Sequence, residues 1–328
     1  MPLEFNNGIR VLGTELWLDA TRTRDISFVS HAHYDHATRH RRVIASAKTA
    51  LLYRHRVLKG SRGTTTEVVG YEFGEPFRLG DLVLTLFPSG HILGASQILI
   101  ETDKRIVYTG DFKVQQGLAS ERIEILPCDV LIMECTYGMA QYIFPDREIL
   151  RQRLVNFVEQ SLERGLVPVV YAYSLGKSQE AMRILGEAGF DMLVHEKVYE
   201  IAKIYEQLGV SLQRYELFTP ELVPGRAVIM PPHMRRSEIM RATGRKRSVM
   251  LTGWALNKDT KRRFGVNEVI PLSDHCDFAE LLAYVEIAKP KKVYTFHGPP
   301  DFAKRLKRRG YDAQHLPLGQ QLHLWEDL

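Results

Sequence analysis

The chain has 328 residues, of which 45% are hydrophobic, 25% charged and 9% aromatic. That composition suits a soluble globular protein and excludes disordered, collagenous and coiled-coil classes. The formal charge of +5 is a weak pointer to a polyanionic partner, and Cys128, Cys135 and Cys276 are too few for a disulfide framework or an all-cysteine metal site. No apolar run reaches ~18 residues, so no membrane span is expected. The start, Met-Pro-Leu-Glu-Phe-Asn-Asn, has neither the basic nor the apolar region of a signal peptide. A reducing, cytoplasmic setting is expected.

In chain order, the first third reads as β-rich. Short apolar or alternating runs at Ile9–Leu12, Glu15–Leu18 and Ile26–Val29 predict strands. A helix is predicted over Ser46–Leu58. Strands follow at Glu67–Tyr71, Pro76–Leu79, Leu82–Pro88, Ser96–Glu101, Arg105–Thr109 and Asp129–Met133. From Arg147 the pattern changes. Ile149, Leu150, Leu154, Phe157, Val158 and Leu162 recur at helical spacing. A buried strand at Pro168–Tyr173 and a helix at Ser178–Glu187 come next. Alternation of strand and helix to about Arg263 predicts a parallel α/β unit. A strand at Val269–Pro271, a helix near Phe278–Ile287, a strand at Lys292–Phe296 and a helix near Phe302–Arg309 are predicted after it. No Pro/Gly-rich linker interrupts the chain, so an inserted domain fits better than two domains in tandem.

The strongest chemical feature is Ser30-His31-Ala32-His33-Tyr34-Asp35-His36, straight after a predicted strand. Residues i and i+2 of an extended segment point the same way, so His31 and His33 can grip one ion. Asp35 and His36 can grip a second, and imidazole and carboxylate both suit zinc. His91, Asp111 and His297 each stand just past a predicted strand with a glycine beside them, and Asp19 has a similar placement.

The series Asp19, His31-x-His33-x-Asp35-His36, His91, Asp111 resembles the metallo-β-lactamase fold. Glu134-Cys-Thr-Tyr-Gly, Ser273-Asp274-His275 and Phe296-His297-Gly298 resemble the motifs of its β-CASP nuclease branch. Tyr171-Ala-Tyr-Ser-Leu-Gly-Lys-Ser-Gln179 and Leu272-Ser-Asp-His-Cys-Asp277 are similar to the ligase-associated DNA exonuclease type, whose DNA-cutting relatives include Artemis-like repair nucleases. The resemblance implies an α/β fold, an αββα sandwich of residues 1–146 and 268–328 with a β-CASP domain inserted at 147–267. It implies two zinc ions, with manganese as an alternative: one held by His31, His33 and His91, a second by Asp35, His36 and His297, and Asp111 between them. Asp19 would orient a ligand histidine. Asp35, Asp111, Glu134 and His275 form the implied catalytic set, His275 serving the scissile phosphate or the leaving oxygen and Glu134 orienting it. His297 departs from the Artemis-like pattern, which has an aliphatic residue there, and matches the RNA-cutting relatives and the ligase-associated type.

Ser174, Gly176, Lys177 and Gln179 join a predicted strand to a helix start, where N–H groups and a lysine suit a phosphate. Between Pro231 and Gly265 the local charge is +8, with Arg235, Arg236, Arg245, Lys246 and Arg247 the expected nucleic-acid contacts. The reading is therefore a zinc-dependent hydrolase of nucleic-acid phosphodiesters, with single-stranded DNA the favoured substrate in repair and a DNA ligase or helicase as partner. About 30 residues follow His297, so no extra RNA-binding module is expected. An RNA-processing nuclease and a non-catalytic nucleic-acid-binding subunit are the rivals.

Overall fold

A computed structural model describes residues 3–60 and 65–316, with the backbone of residues 322–323. The chain divides into two units. One comprises Met1–Gln116, Ser120–Tyr142 and His275–Leu328; the other comprises Gly117–Ala119 and Ile143–Asp274. The first unit opens with β1 (Leu3–Phe5), β2 (Ile9–Val11), β3 (Leu16–Leu18), β4 (Ile26–Phe28), β5 (Arg42–Ser46), α1 (Ala47–Tyr53), β6 (Glu67–Tyr71), β7 (Phe77–Leu79), β8 (Leu82–Pro88), β9 (Ser96–Glu101), β10 (Arg105–Tyr108) and β11 (Val130–Glu134). The second carries α2 (Arg147–Glu163), β12 (Val167–Tyr171), α3 (Lys177–Glu187), β13 (Met192–Val194), α4 (Glu196–Gln207), β14 (Tyr215–Leu217), β15 (Ala227–Met230), α5 (Glu238–Ala242), β16 (Lys246–Leu251), α6 (Thr260–Phe264) and β17 (Glu268–Ile270). The first resumes with α7 (Phe278–Ala288), β18 (Lys292–Phe296), α8 (Asp301–Arg308), β19 (Asp312–His315) and β20 (Leu322–His323).

Among the described residues the first unit holds two sheets, ordered β20-β1-β2-β3-β4-β5-β6 and β19-β18-β11-β10-β9-β8-β7. Alternation along the second sheet sorts its side chains. Ile98, Ile100, Ile106, Tyr108, Val130, Ile132, Tyr294 and Phe296 join Leu16, Leu18, Phe28 and Ile44 of the first sheet in one core. Leu99, Val107, Leu131, Met133 and Val293 face the other way, onto Leu281, Val285, Phe302 and Leu306 of α7 and α8. Val43 and Ala45 pack against Ala50 and Tyr53 of α1. Helix, sheet, sheet and helix thus form the αββα sandwich. The second unit is a parallel sheet ordered β14-β13-β15-β12-β16-β17, cored by Val169, Tyr171, Val228, Met230 and Met250.

Two local features depart from the sequence reading. The helix expected over Ser46–Leu58 is α-helical only to Tyr53 and continues as a π-helical turn over Arg54–Leu58. Tyr53 OH donates to Thr38 O (2.9 Å) and Arg39 Nη2 to Val57 O (3.0 Å), tying this turn to the neighbouring loop. The second is β5, a buried strand that shows no alternation from Val43 to Ser46. Among the described residues no helix is long and apolar enough to cross a membrane.

Candidate metal centre

The chain leaves β3 at Asp19, in the left-handed region at φ 43°. A non-glycine residue there needs support from its surroundings. Asp19 has it: Oδ1 accepts from Ser30 N (2.7 Å), and Oδ2 accepts from Ser30 Oγ (2.5 Å) and Tyr108 OH (2.8 Å). His36 Nδ1 also lies 2.8 Å from Asp19 Oδ2. The carboxylate therefore fixes the His36 ring and aims its Nε2 away from Asp19.

Other donors arrive at carboxyl ends of strands. His31, His33, Asp35 and His36 follow β4, His91 follows β8, Asp111 follows β10 and His297 follows β18. Gly110 lets Asp111 come close: a Cβ there would stand 2.5 Å from Ser30 Cβ. His297, at φ 47°, is followed by Gly298, where a Cβ would meet Cys135 O at 1.9 Å. Two sheets therefore deliver their ligand-type residues to one place.

His33 Nδ1 is 3.0 Å from His31 Nε2 and 3.1 Å from His91 Nε2. Three nitrogens on a tetrahedral zinc with bonds of ~2.0–2.1 Å stand about 3.3 Å apart, so the triad fits such an ion. Asp111 Oδ2 lies 3.6 Å from His31 Nε2, 3.5 Å from His36 Nε2 and 3.9 Å from His91 Nε2, and Oδ1 lies 3.8 Å from His297 Nδ1. Ligand atoms within 4.8 Å of one another group His31, His33 and His91, and separately His36, Asp111 and His297. Asp35 groups with His31 and His36, and its side chain is exposed. His36 Nε2 and Asp111 Oδ1 are buried without a hydrogen-bond partner. Buried polar atoms left so are costly, and a cation between them would satisfy both.

The electrostatics set the histidines apart. Burial, with His36, His91 and His33 nearby, holds His31 well below its ordinary 6.5, in the neutral form that ligates metals. Burial also opposes charge on His36, but Asp111 and Asp19 outweigh it and raise the imidazole to about 10. Burial opposes the charge of Asp111, yet His36 above all, with His297, His275 and His31, holds its carboxyl well below the usual range. Burial and then Asp19 keep the Tyr108 hydroxyl neutral, as a donor. A cavity of about 330 Å³ opens beside Asp35, His36 and His297, with Ile9, Leu18 and Phe296 among its walls.

Glu134, the last residue of β11, is buried. Its Oε2 accepts from Thr136 N (2.9 Å) and its Oε1 stands 2.8 Å from His275 Nδ1. The His275 side chain is 22% exposed, and an atom of its ring joins His91 and Asp111 in one ligand-sized group. Asp277, two residues on, caps α7 with Glu280 in a reciprocal capping box.

The second unit places its expected residues differently. Lys177 does not stand open at a helix start: Nζ pairs with Asp274 Oδ2 at 2.8 Å, donates to Leu272 O at 3.1 Å and is buried. Gln179 Oε1 accepts from Gly176 N (2.8 Å), and its Nε2 donates to Ser174 O (3.0 Å). The basic stretch is divided. Arg235 and Arg236 lie in a 3₁₀ turn after the carboxyl end of β15. Arg245, Lys246 and Arg247 lie at the amino end of β16, where Arg247 pairs with Glu268 (3.4 Å) and covers the Phe157 ring (4.5 Å). Sequence reasoning missed Ser30 and Tyr108 as supports of Asp19. Ser30 adjoins the histidine motif, but nothing local marks Tyr108.

Two family models match the chain, one described as a beta-lactamase superfamily domain over residues 15–161 and one as a Zn-dependent metallo-hydrolase RNA specificity domain over residues 260–317. Together they cover more than half of it. A protein named "Probable DNA ligase" from Opitutus terrae is 36% identical over 326 residues, 98% of this chain and 32% of that protein. The "RNase J-like protein" of Methanocaldococcus jannaschii is 35% identical over 102 residues, 30% of this chain and 24% of that protein. "Endoribonuclease YSH1" of Gibberella zeae is 29% identical over 199 residues, 50% of this chain and 24% of that protein. This chain spans between about a quarter and a third of the length of these curated relatives. A crystal structure of a protein of unknown function from Enterococcus faecalis V583 shares the fold at TM-score 0.61 and 17% identity, over 91% of this chain and 81% of that one. The chain belongs to the metallo-β-lactamase superfamily, in its β-CASP branch of zinc-dependent metallo-hydrolases.

Proposed function

We propose that the chain is a two-metal nuclease that shortens single-stranded DNA from an end during repair, in a cytoplasmic setting. The observation that carries the DNA reading is the 36% identity, across 98% of this chain, to a segment of a probable DNA ligase. A nuclease that trims an end prepares it for a ligase that seals it, so a ligase is the expected partner and a helicase a further one. In this reading residues 147–267 form the inserted domain, flanked by 1–146 and 268–328. The division of the chain at Ile143 and Asp274 supports it.

His31, His33 and His91 would hold one zinc ion, Asp35, His36 and His297 a second, and Asp111 would join them; manganese is the alternative. Bound there, the metal would supply Lewis-acid charge for the phosphoryl oxygens and a water acidic enough to attack at neutral pH. Asp19 locks the His36 ring, and Asp111 sets its carboxylate among four histidines. His275 acts on the leaving oxygen. The carboxylate of Glu134 at its Nδ1 favours the imidazolium, whose Nε2 proton passes to the departing alkoxide. The products are a phosphate monoester end and a free hydroxyl.

A second reading, a ribonuclease of RNA processing or decay, has its own support in the RNA specificity domain matched over residues 260–317, where the sequence alone suggested no RNA module. The test is cleavage of matched single-stranded DNA and RNA, each labelled at one end, by zinc- or manganese-loaded protein beside His31→Ala protein. Stepwise shortening of DNA with RNA spared is the expected result. Degradation of RNA alone would overturn the DNA reading in favour of the second.

A further inference from the structure

We propose that Tyr34, backed by Arg56, is a base-stacking platform on the rim of the metal centre, which receives the nucleobase beside the scissile phosphate. The proposal rests on the nuclease reading above. Tyr34 sits between the expected ligands His33 and Asp35, and at 64% exposure it stands above the other large apolar side chains exposed among the described residues. Its loop is not slack. His31 and His36 on either side are buried, and the loop closes on itself through His36 N and Ala37 N donating to His33 O. The ring is thus presented to water from a fixed backbone, where a ligand can reach it.

Arg56 prepares the ring to receive one. It lies in the π-helical turn Arg54–Leu58, a kind of turn often found at functional sites. Its Nε donates to Ala32 O at 2.8 Å, the carbonyl between the ligand histidines His31 and His33. Its guanidinium carbon stands 4.3 Å from the centre of the Tyr34 ring. One cation thus steadies the motif loop and covers one face of the ring, leaving the other face to the solvent. Fixing an aromatic before the ligand arrives reduces the entropy lost on binding.

Tyr34 is the residue between two expected donors, His33 and Asp35. In this proposal a phosphate held at the centre lays the base of its own nucleotide on the ring. Lys59 is exposed just past the turn that carries Arg56, and Arg39 ties that turn to the loop, so positive charge that suits a phosphate backbone lies close to the platform. Stacking tolerates any sequence because every base has a π-face, which suits an enzyme that removes nucleotides one after another.

The test is binding of a fluorescent single-stranded DNA, phosphorothioate-linked throughout, to the zinc-loaded full chain, beside the same strand with abasic residues. Wild type should bind the base-bearing strand about 5- to 100-fold more tightly than the abasic one. Tyr34→Ala should lose most of that difference, Tyr34→Phe should keep it, and zinc content should match wild type in both. If Tyr34→Ala discriminates as wild type does, the platform is wrong even where DNA is cleaved normally. If wild type binds both strands alike, the platform is likewise wrong. If wild type discriminates through Tyr34 yet cleaves neither DNA nor RNA, the platform stands and the hydrolytic reading falls.

Discussion

Glu134 Oε1 stands 2.8 Å from His275 Nδ1, joining side chains 141 positions apart in the chain. The carboxylate is buried and the imidazole partly open, so the pair presents one ring nitrogen outward. His275→Ala should lower kcat by ~10²–10⁴-fold while zinc content, by metal analysis, stays at the wild-type level. Loss of zinc along with activity would instead make His275 a ligand, as its grouping with His91 and Asp111 allows.

Asp19 touches no expected substrate position, yet four groups converge on its carboxylate. Asp19→Ala frees the His36 ring and leaves Tyr108 OH buried without its acceptor. Zinc affinity should fall ~10–100-fold, measured by competition with a chelator. Tyr108→Phe should fall less, because Ser30 and His36 remain on Asp19.

His40 gives a stability effect with a definite sign. Burial lowers its imidazole from 6.5 to about 4, and its Nδ1 accepts from Arg24 N at 3.1 Å. The folded chain holds it neutral, whereas the unfolded chain protonates it below about 6.5. Its contribution is therefore complete above pH 6.5 and is lost as the pH falls from 6.5 towards 4. Thermal unfolding of chelator-treated wild type and His40→Gln should show the variant losing less Tm across that window. Parallel losses would show that His40 does not contribute to the acid sensitivity of the fold.

The buried pair of Lys177 and Asp274 points to a structural latch. Removing one partner leaves an uncompensated charge, so Lys177→Met should destabilise by ~3–5 kcal/mol in denaturant titration. Lys177→Met with Asp274→Leu should recover much of that loss. A stable Lys177→Met protein that no longer distinguishes phosphorylated from hydroxyl ends would instead support the expected phosphate role.

Arg235 and Arg236 follow a strand at its carboxyl end, the side on which open α/β sheets bind ligands. Reversing both charges should flatten the salt dependence of single-strand binding by ~0.7 for each phosphate no longer neutralised. Reversal of Arg247, engaged with Glu268, should change stability more than slope. Equal slopes in all variants would place the strand elsewhere.

Much of the fold and the donor set was legible in the sequence because its signals are local. Leu82–Pro88, Ser96–Glu101 and Lys292–Phe296 are bounded by turns and form strands over those ranges. His31 and His33 are two residues apart on one extended segment. What stayed hidden depends on partners far along the chain. Tyr108 reaches Asp19 across 89 positions, and Lys177 meets the Leu272 carbonyl across 95. Clustering of charge in the sequence is not clustering in space: α5 and the chain leading into β16 carry Arg245 to the sheet end opposite Arg235, though only ten positions separate them. The helix expected to Leu58 continues after Tyr53 as a π-helical turn, tied to the loop by Tyr53 OH on Thr38 O and by Arg39 on Val57 O, partners that no local pattern marks.

His31, His33, Asp35 and His36 hang from one sheet, and His91, Asp111 and His297 from the other. The gap between these donors is consequently set by the layer of Leu18, Phe28, Leu86 and Ile132 that keeps the two sheets apart. That layer works as a gauge block. Trimming Ile132 to Val would alter the spacing of nitrogens that it never touches, because close-packed interiors pass on small changes of volume. Selection for tighter or looser hold on a cation therefore has a route through apolar residues, with every ligand unchanged.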